Sequence, residues 1–311
     1  MSTEGGTKAI LAALVANLAI AVTKFIAFLL TKSSSMLAES IHSLADSGNQ
    51  ALLLVGGRRA VRSATPLHPF GYGRERYLYA FIVSIVLFNL GGVFALYEAW
   101  HKWSHPEPIT DWQWVPVTVL VVAIVMESFS LRTAVVESNH VRGSQTWVQF
   151  VRRAKAPELP VVLLEDIGAL LGLVFALFGV SLTLATDDGR WDAAGTAMIG
   201  VLLVAIAVVL AIEMRSLLLG ESASPDAVRR IESALVGEAG SGVQSVIHMR
   251  TQHLGPEELL VAAKIAVNGA DTAAEVASAI DAAEQRVRTA EPVARVIYLE
   301  PDLTRQTTAP S

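Results

Sequence analysis

The chain has 311 residues, 52% of them hydrophobic and only 17% charged, with 29 acidic against 24 basic side chains and no cysteine. That balance is far from the globular average and reads as a polytopic membrane protein. The formal charge of −5 is too unevenly spread to point to a charged partner such as nucleic acid, and the lack of cysteine excludes disulfides and thiolate metal sites.

Six apolar stretches follow in order, each near the ~20 residues that a ~30 Å hydrocarbon core requires. They run approximately from Ala9 to Leu30, Met36 to Gly57, Tyr77 to Trp100, Trp112 to Leu131, Leu159 to Leu184 and Ala193 to Leu217. The first is long enough to span and lacks a signal peptide's short apolar run and cleavage site, so it reads as a retained transmembrane helix. Basic residues cluster after the second stretch (Arg58, Arg59, Arg62, Arg74, Arg76) and after the fourth (Arg142, Arg152, Arg153, Lys155), while the alternate loops carry mainly Lys32, Lys102 and Arg190. By the positive-inside rule both termini face the cytoplasm. Trp100, Trp103, Trp112, Trp114 and Trp191 fall where interfacial aromatics are expected on the outer side.

The polar residues inside these stretches are the informative ones. Lys24, near the middle of the first, either snorkels outward or pairs with an acid of the bundle. In the second, MLAESIHSLADSGNQ sets Glu39, His42 and Asp46 at spacings of three and four, one face of a helix. A carboxylate and an imidazole one turn apart form a natural half-site for a divalent metal. The bland alternative, an amphipathic surface helix, is disfavoured by the apolar flanks. In the third stretch Asn89 with Gly91 and Gly92 reads as close helix packing. Glu127 in the fourth lies about one turn from Arg132, so capping or ion pairing near the inner surface competes with any transport role.

The fifth stretch repeats the anomaly of the second. In VVLLEDIGALLG, Glu165 and Asp166 interrupt an apolar run, and Gly168 and Gly172 form a GxxxG face. With a rise of 1.5 Å per residue, Asp46 lies roughly 15 Å below the outer edge and Asp166 roughly 10 Å above the inner one, which brings them within ~5 Å in depth. That depth permits a shared site.

After Leu217 a domain of soluble composition begins. A helix is expected from Ser224 to about Glu238, strands over Val243 to Thr251 and Leu259 to Val267 around the turn LGPEE, a helix from about Thr272 to Thr289 with Val276, Ile280, Ala283 and Val287 on one stripe, and a last strand over Val293 to Leu299. The expected division is therefore a six-helix membrane domain over 1–217, a cytoplasmic α+β domain of αββαβ, ferredoxin-like order over 218–303, and a disordered tail over 304–311.

Six helices with this topology, the stripe LAESIHSLAD, the loop HPFGYGRER, VVLLED in the fifth helix and the αββαβ domain together resemble the cation diffusion facilitator family over nearly the whole chain. The resemblance implies a homodimeric antiporter in the lipid bilayer that exports a divalent cation, typically zinc, in exchange for protons, with no cofactor beyond that cargo. It implies a tetrahedral site of two residues four apart in each of the second and fifth helices. Carried over, these are His42, Asp46 and Asp166, while the remaining position, usually histidine, is Val162 here. Glu165, Glu39 or a water is left as the fourth ligand, and an oxygen-richer set would move preference from zinc toward manganese or magnesium. In the loop after the second helix only His68 matches a family metal ligand, with Tyr72 in place of the second histidine. In the cytoplasmic domain His248 matches one ligand position while Lys264 and Tyr298 occupy others, so His248 and His253 read as solvated strand or turn residues.

Since metal ligands bind deprotonated, protons and metal compete for the same atoms, and a proton gradient can drive export. The alternatives are a relative of the same fold carrying manganese, cobalt, iron or magnesium, and a membrane-embedded metal-dependent enzyme. Against the latter, no HExxH or nucleophile elbow accompanies the acids, and against an ATP-driven pump, no GxxxxGK[ST] loop is present. The expected location is the plasma membrane, with multiple passes.

Overall fold

The computed structural model of the chain describes residues 18–106, 109 and 112–303. The first half of the first apolar stretch and the tail over 304–311 lie outside the described residues. Among the described residues seven helices precede the C-terminal unit: α1, described over Leu18–Thr31, α2 (Ser34–Ala60), α3 (Glu75–Ser104), α4 (Trp114–Arg142), α5 (Trp147–Arg153), α6 (Glu158–Thr186) and α7 (Arg190–Leu219). Four of these, α3, α4, α6 and α7, are long and apolar enough to cross a membrane. At 1.5 Å per residue, the 27 residues of α2 reach about 40 Å, but its polar stripe lowers its hydropathy.

Expected and observed limits differ for local reasons. The fourth helix runs past Leu131 to Arg142, because the segment RTAVVESNHVR holds no Gly or Pro and meets no breaker before Gly143. The helix α5 was not foreseen from the apolar runs. It is set by a capping box in which the Thr146 side chain accepts from the Gln149 N–H and the Gln149 side chain accepts from the Thr146 N–H. Midway along α3, Leu87–Val93 is π-helical, which re-aims the helix where Gly91 and Gly92 meet α7. A Cβ on Gly92 would stand 2.6 Å from Val204 Cγ2, so these glycines serve close packing, as expected. Gly179 of α6 and Gly195 of α7 bring two backbones together in the same way, with Cα of Gly179 3.2 Å from where a Gly195 Cβ would sit.

Between Thr31 and Arg190, buried polar contacts tie helix ends together. Ser33 Oγ donates to Asp192 Oδ1 at 2.9 Å, the Ser35 N–H reaches the same oxygen at 3.3 Å, and the Asp192 N–H donates to Thr183 Oγ1 at 2.9 Å. Asp192 of α7 therefore satisfies one open amide and a hydroxyl at the start of α2 while α6 holds Asp192 in turn.

The chain divides into two compact units. One comprises the described residues up to Arg58 together with Arg76–Arg215; the other comprises Arg59–Glu75 and the described residues from Ser216 onward. The second holds α8 (Pro225–Val236), β1 (Ser245–Gly255), β2 (Glu258–Ala266), α9 (Ala273–Ala290) and β3 (Val296–Asp302), the expected αββαβ order. Its sheet is mixed, in the order β1-β2-β3, with β1 antiparallel and β3 parallel to β2. Alternate residues of β2, Leu259, Val261, Ala263 and Ile265, meet Ile231 and Leu235 of α8 and Ala283 and Val287 of α9 in one core. Ser224 caps α8, and at its other end Gly237 takes φ 65°, where the Arg286 guanidinium donates to the carbonyls of Ala234 and Leu235. Thr272 and Glu275 form a capping box on α9. There the Thr272 N–H and hydroxyl hold the Glu275 carboxyl below its usual range.

Candidate functional site

The polar stripe of α2 is longer than its acids alone reveal. Glu39, His42, Ser43, Asp46, Asn49 and Gln50 succeed one another at helical spacing, and Glu39, His42, Ser43 and Asn49 are buried. A helix can bury such a face only if its neighbours answer each polar group. On the α1 side Lys24, itself buried, places Nζ 3.1 Å from Glu39 Oε2 and donates to Ser43 Oγ at 2.8 Å. Of the two expectations for Lys24 the pairing one is met. On the α6 side Asn49 Nδ2 donates to Glu165 Oε1 at 2.7 Å, and Glu39 Oε1 would lie 2.7 Å from a Cβ on Gly172. The GxxxG face thus admits α2 at Gly172 and Ile206 of α7 at Gly168.

His42 Nε2 stands 3.5 Å from Asp46 Oδ2, beyond a good hydrogen bond, and neither ring nitrogen has a hydrogen-bond partner. Asp46 Oδ1, Asn49 Oδ1 and Gln50 Oε1 are likewise buried and unpartnered. Beside them a cavity of about 10 Å³, the room of a single water, is lined by Ser43, Asp46 and Gln50 of α2, Glu127 of α4, and Glu165 and Asp166 of α6. Among the described residues no three His, Asp or Glu side chains already converge on one point, so closing around an ion takes rotamer changes.

The sequence-predicted residues are therefore partly brought together. Asp46, Glu165 and Asp166 share the cavity, with His42 adjoining through Asp46. Glu39 does not line it and is engaged by Lys24. Val162 packs with Leu163, Ala134 and Phe150 in an apolar cluster. Glu127 departs from the ion-pair expectation: it forms no ion pair among the described residues and lines the cavity instead. Ser130, one turn further along α4, donates to Asp166 Oδ2 at 3.0 Å. Asn49 and Ser130 were missed, although both continue a helical spacing from a residue already singled out, Asp46 and Glu127.

In the C-terminal unit His248 is exposed on β1, as expected, but His253 is buried, with Nδ1 3.4 Å from the Gly255 carbonyl. The solvated reading of His253 is corrected: the strand runs on through Gly255 and carries the ring inward. Lys264 Nζ lies 3.0 Å from Glu300 Oε1 and 3.1 Å from Asp302 Oδ2, and these hydrogen bonds raise its proton affinity. His68 packs its ring on Tyr72, centroids 4.7 Å apart, and the Arg62 guanidinium lies over the same tyrosine.

A family profile described as the cation efflux transmembrane domain matches residues 10–219. The mitochondrial proton-coupled zinc antiporter SLC30A9 of Xenopus laevis is 31% identical over 272 residues, which is 86% of this chain and 48% of that protein. Metal tolerance protein C4 of Arabidopsis thaliana is 27% identical, covering 84% of this chain and 57% of its own. Zinc transporter ZitB of Pectobacterium atrosepticum is 31% identical over 120 residues, 39% of this chain and 36% of its own. The chain spans about half the length of the antiporter it matches.

Proposed function

This chain belongs to the cation efflux family, and from that premise we propose that it moves a divalent metal cation, zinc first, across a membrane in exchange for protons. The observation that carries the reading is the buried pairing of His42, with both ring nitrogens unpartnered, and Asp46, at the wall of a cavity shared with Asp166. Buried carboxylates and an imidazole without full hydrogen bonding are costly in a membrane domain, and a cation offsets that cost. The same atoms accept protons once the cation leaves, so metal and protons alternate on one set of ligands. Relatives named as zinc antiporters and zinc transporters support zinc as cargo. Manganese, cobalt, iron and magnesium are the alternatives, of which an oxygen-rich cavity favours manganese and magnesium.

The proposed ligands are His42, Asp46 and Asp166, with six membrane spans, α1 and α2 being added to the four long apolar helices. The αββαβ unit is read as a ferredoxin-like cytoplasmic domain through which two copies pair. The membrane in question is the plasma membrane or, following the names of the antiporter relatives, a mitochondrial one. The decisive experiment reconstitutes the full chain in proteoliposomes with an imposed pH gradient and follows zinc, manganese, cobalt and magnesium together with luminal pH. Metal entry coupled to proton exit supports the reading. Absence of movement for every metal, with the pH gradient intact, refutes it.

A further inference from the structure

Resting on that reading, we infer that Glu127 of α4 is a direct ligand of the transported cation and takes the place left vacant by Val162. Glu39, Glu165 and Asp166 each already meet a neighbouring donor, Asp166 through Ser130 at 3.0 Å, whereas Glu127 meets none among the described residues. Glu39 is held by Lys24 at 3.1 Å and lies away from the cavity, and Glu165 has one carboxylate oxygen bonded to Asn49 at 2.7 Å. Val162 faces an apolar cluster with Ala134 and Phe150. Glu127 lines the cavity with Asp46 and Asp166 and has neither a hydrogen bond nor an ion pair among the described residues.

Two independent features point the same way. His42 is 1% exposed, its ring nitrogens lack partners, and its Nε2 is directed at the cavity-lining Asp46, so the cluster already presents a nitrogen donor awaiting a cation. The depths also agree: Glu127 is thirteen residues from the start of α4 and Asp46 twelve from the start of α2, or about 20 and 18 Å along each axis at 1.5 Å per residue. Ser130 holds α4 against the site through Asp166. The ligand set becomes His42, Asp46, Glu127 and Asp166, one nitrogen and three carboxylates drawn from three helices. Such a set accepts zinc but also suits manganese, a harder cation, better than a two-histidine site does.

The test measures zinc and manganese flux in proteoliposomes for the full chain carrying Glu127→Gln, Glu127→His or Asp46→Ala, each verified as monodisperse. Loss of the carboxylate in Glu127→Gln is expected to lower apparent affinity for both metals at least ~10-fold. Restoring a nitrogen ligand in Glu127→His is expected to retain zinc flux while manganese flux falls at least ~10-fold, a change of preference that a purely structural residue cannot produce. If both Glu127 variants carry both metals at wild-type affinity while Asp46→Ala is inactive, the inference fails and the transport reading stands. If the wild type moves no metal, both fall together.

Discussion

Replacing Lys24 by methionine removes the only cation that touches the buried stripe of α2 among the described residues, and Glu39 is left at 0% exposure with one oxygen already unpartnered. At the observed 3.1 Å the pair attracts by about 5 kcal/mol for an effective dielectric near 20. Breaking a buried pair by removing one partner typically destabilises by roughly 3–5 kcal/mol, whereas replacing both with apolar or neutral groups of similar size is often neutral. Lys24→Met and Glu39→Gln are each expected to lower the unfolding midpoint of the detergent-solubilised protein, and the double variant is expected to recover most of the loss. The assay is a double-mutant cycle on thermal or denaturant unfolding, with a predicted coupling of roughly 3 kcal/mol or more. The double variant is also expected to transport, because Glu39 is held by Lys24 rather than by the cargo. Additive single effects, with coupling within about 0.5 kcal/mol, or a folded but inactive double variant, would refute this assignment.

The packing and the caps set further expected outcomes. Gly179→Ala and Gly195→Ala place a Cβ 2.8 and 2.7 Å from the backbone oxygens of Trp191 and Phe175, so each is expected to destabilise by about 1–3 kcal/mol in the same unfolding assay. Gly168→Ala meets only side-chain tips, Ile206 Cδ1 at 2.8 Å and Leu203 Cδ2 at 3.4 Å, and is expected to cost less than either. Asn49→Leu leaves Glu165 without its 2.7 Å donor and is expected to destabilise by about 1–3 kcal/mol, read by the same melts. Thr272→Ala removes the α9 cap, with an expected loss of about 1 kcal/mol seen as faster hydrogen exchange over Ala273–Ala290. Because the folded protein depresses the Glu275 carboxyl below its ordinary 4.5, that stabilisation is present above pH about 4.5 and fades as pH falls through the lower folded value. Protection of α9 should therefore weaken on acidification in the wild type and change less in Glu275→Gln.

The apolar runs were legible because a bilayer demands length and hydropathy together, and the limits of α3, α6 and α7 fall within four residues of those read from the sequence. The end of α4 was not legible, since hydropathy marks where apolar residues stop and Glu137, His140 and Arg142 continue the helix beyond that point. The short helix α5 left too few apolar residues to show a period, although Thr146 and Gln149 spell its cap. The acids of α2 and α6 stood out against their neighbours, whereas Glu127 was drawn toward Arg132 by sequence proximity. Which way a side chain turns depends on the helix it packs against, and only the assembled bundle shows Glu127 beside Asp46 and Asp166. The same is true of His253, whose inward orientation follows from the extra pleats of β1.

In the proposed transport cycle one set of side chains, with Asp46 of α2 and Asp166 of α6 at its centre, carries the cargo. The most direct test is zinc-driven proton exit from proteoliposomes containing wild type, Asp46→Asn or Asp166→Asn, isosteric changes that keep the cavity's size while removing one negative charge each. Both variants are expected to fold and incorporate like wild type and to lose zinc flux together with proton exit. Wild-type flux in either variant would contradict it.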